Sequence, residues 1–208
     1  MTINKQGFIY RNIYLYRTIM FLYTFGRYTN DYKTIFSLIP PKSRSVLELC
    51  FGDIYIAKLC KKSNISWTGY DVSDYFVDHA KKNHFNAIAA NLNNVKFNSQ
   101  FDVAIISRSL YQFKNNLSSF FDSIFQSTSR IIICESIKTL ADTKIKTLHW
   151  ISKVITHSGI SEHVFRYNQN SIQKDIDLLS QRFDLIVKKK IIKNNNIFYL
   201  IEKNNINR

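Results

Sequence analysis

The sequence predicts an α/β fold in which a mostly parallel, doubly wound sheet ends in an antiparallel hairpin. From residue 29 onward, short apolar runs alternate with amphipathic stretches of helical spacing, which is the order that βαβ units produce. Most of these runs are nearly continuous in Val, Ile, Leu or Ala, as in strands covered on both faces. The last two runs are joined by three asparagines, which tolerate tight turns. Seven strands are therefore expected.

Two helices are predicted ahead of the first strand. Residues 8–25 are apolar over most of a helical surface, and residues 31–39 form a second helix that ends at Pro40 and Pro41. The proline pair sets up the first strand. The five parallel strands are predicted at residues 45–49, 67–70, 87–90, 101–106 and 130–134.

Helices are expected between the strands, at residues 53–63, 73–83 and 116–129, where apolar residues recur at helical spacing. A last helix near residues 171–180 precedes the closing hairpin. The chain is expected to form a single domain with four parts: residues 1–28 (a lid or interface helix), 29–135 (the core), 136–170 (a cap) and 171–203 (the last helix and the hairpin).

Composition limits the location and the partners. The three cysteines have no metal-ligand spacing, which favours a reducing, cytoplasmic location and predicts no zinc. A net charge of +14 would suit a phosphate-bearing partner or an anionic membrane. An AT-biased coding composition rich in Lys, Asn and Ile would give the same charge, so both explanations stay open.

The helix predicted at residues 8–25 has two possible roles. It is rich in tyrosine and is interrupted by Arg11, Asn12 and Arg17, so it is a poor membrane span, and no signal-peptide cleavage site follows it. The helix is expected either to close over an active site or to lie in a membrane interface as a peripheral contact.

Candidate site residues follow the first two strands. Ligands of open parallel sheets bind beyond the carboxyl ends of the strands. The first strand ends in Glu48, Cys50 and Gly52, and the second is followed by Asp71 and Val72. An acid at position 71 can accept hydrogen bonds from both hydroxyls of a ribose.

The next two strands add further candidates. Asn91 and Leu92 follow the third strand and could supply the polar edge contact and the apolar cover that an adenine ring needs. The fourth strand is followed by residues 107–113, which begin with Ser107. Several weak candidates therefore fall at the correct strand ends.

These motifs resemble those of the class I S-adenosylmethionine-dependent methyltransferases, over about residues 31–203. The resemblance rests on the sequence VLELCFG at residues 46–52, on Asp71 and Asn91, on FDVAIISRSLYQF at residues 101–113 and on the hairpin. It implies a Rossmann-like fold and S-adenosyl-L-methionine as the cofactor. The cofactor-binding residues it implies are Glu48, Cys50, Gly52, Asp71, Val72, Asn91, Leu92 and Ser107.

The sequence departs from the family pattern at three positions. Cys50 and Ile54 stand where the family usually has glycine, and Asn91 stands where it often has aspartate. Ile54 is expected to be the most restrictive, because a β-branched residue does not readily take a positive φ. One alternative is therefore a noncatalytic binding module that has kept the fold of the family.

The sequence lacks motif residues that mark several classes of methyltransferase, and this limits the substrate class. Pro40 and Pro41 are the only prolines, so the loop after strand four lacks the prolines of amino-methylating and cytosine C5 enzymes. Ser107 stands where magnesium-dependent catechol-type enzymes carry a metal-binding acid, so no metal is expected. The remaining resemblance is to the small-molecule, lipid or quinone branch, which predicts O-methylation of an apolar or aromatic acceptor. An RNA methyltransferase is the other enzymatic alternative.

The cap and the loop after strand four provide the remaining candidates. His163 is the first candidate base, because imidazole titrates near neutral pH, and Tyr111 at the mouth of strand four is the second. An ordinary surface role for His163 is an equally good interpretation. The candidate substrate-binding residues are Tyr28, Arg108, Gln112, Trp150 and Arg166.

Overall fold

A computed structural model describes residues 12–24, 26–93, 95–137 and 165–204 of the 208-residue chain. His163, Trp150 and most of the predicted cap lie outside the described residues. The sheet has seven strands in the order β3-β2-β1-β4-β5-β7-β6. The strands are β1 (Ser45–Leu49), β2 (Ser66–Asp71), β3 (Asn86–Ala89), β4 (Val103–Ser107), β5 (Arg130–Ser136), β6 (Leu185–Lys193) and β7 (Asn196–Lys203).

Six α-helices surround this sheet in the described part of the chain. They are α1 (Ile13–Tyr23), α2 (Tyr28–Ser37), α3 (Tyr55–Lys62), α4 (Asp74–Lys82), α5 (Leu117–Phe125) and α6 (Gln169–Phe183), and a 3₁₀ helix (Leu110–Asn116) leads into α5. No described helix has the length and apolar character needed to cross a membrane.

The pairing confirms the predicted architecture. Strands β1 to β5 are parallel, and β7 is antiparallel to both β5 and β6. Asn194 and Asn195 form the hairpin turn with φ angles of 53° and 62°, which asparagine tolerates well. Ser136 at the end of β5 pairs with Asn196 at the start of β7, so the hairpin turn lies at the carboxyl edge of the parallel strands.

Side chains that alternate along the strands build two cores, one on each face of the sheet. Val46 packs with residues of α1 to α4, whereas Leu47 packs with residues of α5 and α6. The apolar runs of the sequence are thus buried on both faces, as parallel strands between helical layers require.

Several element boundaries differ from the prediction. The fourth strand begins at Val103 rather than at residue 101, because Oδ2 of Asp102 accepts hydrogen bonds from the backbone N–H groups of Arg44 (2.7 Å) and Ser45 (2.9 Å). The fifth strand continues to Ser136 because β7 pairs with it along its whole length. Helix α2 begins at Tyr28, three residues ahead of the predicted start.

Candidate active site

The loop between β1 and α3 has two residues with positive φ. Cys50 has φ 53° and Gly52 has φ 56°, whereas Ile54 has φ −78° and is fully buried. The expectation that Ile54 would be the most restrictive residue is therefore wrong. Its side chain packs in the core on the side of α1 to α4, and Cys50 is the non-glycine residue in the left-handed region.

Substitutions at position 50 are expected to follow backbone strain. Cys50→Val should lower the free energy of unfolding by about 1–3 kcal/mol, because a β-branched residue is a genuine outlier at positive φ. Cys50→Gly, which tolerates this φ, should stay within about 1 kcal/mol of the wild type. Urea unfolding of both variants measures this difference, and equal stabilities would show that the backbone at Cys50 is not strained.

The carboxylate of Asp71, at the end of β2, holds the loop in place. Its Oδ2 accepts a hydrogen bond from the backbone N–H of Gly52 at 3.0 Å, and its Oδ1 accepts one from Ser73 at 2.9 Å. Burial raises the pKa of Asp71 to about 6, although the backbone hydrogen bonds oppose the shift. The backbone of Val72 also lowers the pKa of Asp71 by a hydrogen bond, and a carboxylate offers about four lone-pair sites. The carboxylate therefore keeps acceptor capacity for a ribose hydroxyl.

The predicted adenine contacts lie after β3. Leu92 is buried in the core on the side of α5 and α6. Asn91 is exposed, and its Oδ1 accepts a hydrogen bond from the backbone N–H of Asn93 at 3.1 Å. Val72, which follows Asp71, and Ser107, which ends β4, are both half-buried at the same edge. The carboxylate of Asp71 at this edge thus fits the ribose of an adenosyl cofactor.

Glu48 lies deeper than the other predicted cofactor residues. It is buried within β1, and Oε2 accepts a hydrogen bond from the indole N–H of Trp67 at 2.7 Å. Burial raises the pKa of Glu48 well above its usual value. In this structure its carboxylate is therefore hydrogen-bonded to a side chain of the neighbouring strand β2.

Helix α1 lies directly over the loop between β1 and α3, residues 50–54, which we call the cofactor loop. A Cβ atom at position 52 would lie 2.7 Å from the hydroxyl oxygen of Tyr16, so only glycine leaves room for this ring. Arg17 donates two hydrogen bonds to Asp53, from Nε at 2.9 Å and from Nη2 at 2.7 Å. Tyr28, a predicted substrate residue, is buried and lies 3.3 Å from Asp53 through its hydroxyl. These contacts join the N-terminal helix to the loop.

The predicted acceptor side follows β4. The guanidinium carbon of Arg166 lies 3.7 Å from the ring centre of Tyr111, a favourable cation–π distance. Gln112 lies 3.5 Å from the hydroxyl of Tyr111 through its Nε2. Arg108 is ion-paired with Asp31. The structure thus brings Tyr111, Gln112 and Arg166 together.

Glu135, near the end of β5, is a buried acid that the sequence analysis missed. Its Oε1 accepts a hydrogen bond from the backbone N–H of Leu110 at 2.6 Å, at the start of the 3₁₀ helix. Burial raises the pKa of Glu135 to about 7, against the opposing charges of Arg166 and Arg108. Glu135 lies at the carboxyl edge of the parallel strands, because its neighbour Cys134 pairs with Ser107 at the end of β4.

Glu135 should make stability pH-dependent. Its folded-state pKa is raised, so its favourable contribution is fully present below about pH 4.5 and is lost as pH rises through about 7. Glu135→Gln should remove this component, and its stability relative to the wild type should rise by about 2–3 kcal/mol between pH 4.5 and 8. Urea unfolding at a series of pH values measures the change, with Glu202→Gln on β7 as the control. A constant difference would contradict the buried-acid assignment.

Within the described ranges, no group of three or more His, Cys, Asp or Glu side chains is placed to hold a metal ion. The described groups at this edge are backbone amides, carboxylates, aromatic rings and arginines.

Comparisons with known proteins identify the fold. No protein-family profile and no curated protein sequence matches the chain. Among solved structures, the plantazolicin methyltransferase BpumL superposes with a TM-score of 0.64 at 13% identity, covering 90% of each chain. Magnesium protoporphyrin IX methyltransferase (ChlM) from Synechocystis PCC 6803 gives 0.63 at 10% identity, covering 91% of this chain and 87% of that one.

A third neighbour bears on the alternative substrate. The rRNA methylase from Escherichia coli superposes with a TM-score of 0.55 at 16% identity, covering 94% of this chain and 70% of that one. These likenesses agree with the sheet order, the closing hairpin and the loop geometry described above. The chain therefore has the fold of the class I S-adenosylmethionine-dependent methyltransferases.

Proposed function

We propose that the protein is an S-adenosylmethionine-dependent methyltransferase that O-methylates a small, apolar or aromatic, lipid-like acceptor. The observation that carries the proposal is the pair of Asp71 and Gly52. A buried carboxylate and a glycine loop meet at the carboxyl edge of β1 and β2, where a ribose needs its acceptors. BpumL and ChlM were solved in complex with S-adenosylhomocysteine, which supports the same cofactor here.

The cofactor would supply a methyl group on a sulfonium, which transfers in line to the acceptor oxygen. Because this displacement depends mainly on alignment, the residues of the chain would act chiefly by positioning the reactants and excluding water. Asp71 would hold the ribose, and α1 would cover the loop through Tyr16 and the Arg17–Asp53 pair. Among the described residues, Tyr111 is the candidate base that would remove the proton of the acceptor hydroxyl. His163, in the predicted cap, is the other candidate base.

An aromatic or apolar acceptor is supported by the side chains around this edge. Tyr28 and Tyr32 are buried edge to face at 4.9 Å, and Tyr32 stacks on Tyr55 at 5.3 Å. Tyr111 lies against Arg166 on the other side. Helix α1 also exposes Tyr14 and Phe21, which supports a peripheral membrane contact that delivers a lipid-like acceptor.

RNA methylation is the second candidate, favoured by charge. The net charge is +14, and the edge strand β6 exposes Lys188, Lys189 and Lys190 in succession. Such a surface attracts phosphates in a salt-dependent way. The similarity to the rRNA methylase is in the fold, so it adds little to this candidate.

The test uses S-adenosylmethionine with a labelled methyl group, incubated with the full chain and with separated small-molecule, lipid and RNA fractions. Protein-dependent label in the small-molecule or lipid fraction is the expected result. Label in RNA would favour the second candidate. Binding of S-adenosylhomocysteine with no transfer to any fraction would show a noncatalytic binding module with this fold.

A further inference from the structure

Glu135, buried on β5, supplies a hydrogen-bond acceptor to the start of the 3₁₀ helix that follows β4. Its Oε1 accepts a hydrogen bond from the backbone N–H of Leu110 at 2.6 Å, and a hydrogen bond from the backbone of Tyr111 lowers its pKa. Ser109, which precedes this helix, makes no side-chain capping bond. The first N–H groups of a helix lack partners within the helix, so a carboxylate placed there stabilises its start. Glu135 therefore ties the end of β5 to the loop after β4.

The 3₁₀ helix that Glu135 holds carries the candidate residues of the acceptor side. Leu110 and Phe113 are buried in the core on the side of α5 and α6. Tyr111 and Gln112 lie between these two residues and are half-buried. Because Tyr111 directly follows Leu110, the carboxylate of Glu135 fixes the backbone from which the candidate base extends.

Arg166 forms a second link between Glu135 and Tyr111. Its guanidinium carbon lies 3.7 Å from the ring centre of Tyr111, and its positive charge lowers the pKa of Glu135. Its neighbour Tyr167 is buried and donates a hydrogen bond from its hydroxyl to Oδ2 of Asp175 on α6 at 2.8 Å. Tyr167 thus anchors this segment to α6, while the negative charge of Glu135 attracts the guanidinium of Arg166.

Glu135 is the group of this cluster that changes charge near neutral pH. The titratable and charged groups that face it in the described part of the chain come from the cofactor loop, the end of β4, β5 itself and the segment before α6. They are Cys50, Arg108, Cys134, Arg166 and Tyr167. Burial raises the pKa of the two thiols and of the Tyr167 hydroxyl, so these groups stay neutral, and the arginines stay charged. Ile197, the partner of Glu135 on β7, is apolar.

The ionised form of Glu135 costs stability. Burial raises the pKa of this carboxyl to about 7, so folding favours the protonated form. An apolar or neutral side chain would avoid this cost at the end of β5. Groups with perturbed pKa values cluster at functional sites, and active sites commonly give up stability for activity, so the cost fits a functional role.

We propose that Glu135 is a positioning residue for Tyr111. The ionised carboxylate holds the start of the 3₁₀ helix by a charge-assisted hydrogen bond and holds Arg166 against the phenol ring, so that the phenol keeps one orientation toward the acceptor. Protonation weakens the hydrogen bond from Leu110 and removes the attraction for Arg166. The inference rests on the proposed function, in which Tyr111 is a candidate base.

Proton NMR tests the position of Tyr111 without any acceptor. The nuclear Overhauser contact between its ring and the side chain of Arg166 should fall by about half or more between about pH 8 and about pH 6, where roughly nine-tenths of Glu135 is protonated. Tyr111→Phe assigns the signal. Glu135→Gln should give the weak contact at both pH values, with thermal unfolding as the check on folding. Glu202→Gln, which changes a partly exposed acid on β7, is the control and should behave as the wild type. A wild-type contact of equal strength at both pH values would overturn the proposal.

Methyl transfer separates positioning from a merely structural role. With saturating S-adenosylmethionine and the fraction that accepts label, Glu135→Gln should lower turnover by about 10-fold to 100-fold at about pH 8, while its affinity for S-adenosylhomocysteine stays within about two-fold of the wild type. Wild-type turnover should show an inflection near pH 7 that Glu135→Gln lacks. Unchanged turnover in Glu135→Gln, or an equal loss of cofactor affinity, would refute the positioning role. If the wild type transfers no methyl group, the proposed function fails, whereas the NMR result still decides whether Glu135 positions Tyr111.

Discussion

Replacing Asp71 with alanine is expected to weaken the binding of S-adenosylhomocysteine by about 100-fold, as the loss of a hydrogen bond to a charged group implies. The same change removes the acceptor that holds the N–H groups of Gly52 and Ser73, so the loop loses its anchor. Calorimetry on the full chain measures the affinity. Asp74→Ala, which removes an exposed acid in the first turn of α4, is the matched control and should bind normally.

The pH dependence of binding provides an independent check on Asp71. Its pKa is raised to about 6 by burial, and a ribose hydroxyl donates best to the ionised form. Affinity should therefore be full above about pH 7 and fall as pH decreases through about 6 and the carboxylate is protonated. Asp71→Asn should bind more weakly and lose this dependence. Wild-type affinity in Asp71→Ala would show that the ribose is held elsewhere.

The second large effect is expected for Arg17→Ala. Asp53 has an exposed fraction of 2% and accepts both hydrogen bonds from Arg17, whose own side chain is 36% exposed. Removing the arginine leaves a buried carboxylate that the Tyr28 hydroxyl still contacts at 3.3 Å. Loss of a partner from a fully buried pair costs about 3–5 kcal/mol, and solvent screening of the half-exposed arginine reduces the expected loss to about 1–3 kcal/mol.

Urea unfolding of Arg17→Ala, Asp53→Asn and the double variant measures the coupling between the two residues. The control pair is Arg130–Glu202, whose side chains are 36% and 25% exposed, and Arg130→Ala should cost less than about 1 kcal/mol. Additive losses at Arg17 and Asp53 would mean that α1 is not fastened to the loop by this ion pair.

The sheet could be predicted from the sequence because its strands are nearly continuous apolar runs separated by helical spacing. The three asparagines at residues 194–196 predicted the hairpin turn in the same way, because asparagine tolerates tight turns. The strand ends were less predictable, since they depend on contacts between distant residues. Asp102 ends the loop before β4 by binding the backbone of Arg44 and Ser45, and spacing along the chain does not reveal that contact.

The loop shows where local reasoning fails. Ile54 is a β-branched residue at a position where the family usually has glycine, yet it caps the N-terminus of α3 with a negative φ. Cys50 takes the positive φ instead. The sequence shows which residues lie in the turn, but the backbone angles depend on how Asp71 holds the N–H of Gly52.

Two buried acids near the site, Glu135 and Asp31, are absent from the candidates of the sequence analysis. Glu135 ends an apolar strand just as Asp71 does, so the same signal could have found it. Asp31 is the only acid among the first 44 residues, which was also a usable signal. Their partners, Arg108 and the backbone of Leu110, are far away in sequence and meet them only through the folded sheet.

Titration of the 208-residue chain with S-adenosylhomocysteine by calorimetry, with thermal unfolding in parallel, tests the central claim most directly. The proposed site predicts binding of one molecule per chain, together with a rise in unfolding temperature that grows with ligand concentration. No heat of binding and no thermal stabilisation would contradict the claim that this loop, with Cys50, Gly52 and Asp71, holds the cofactor.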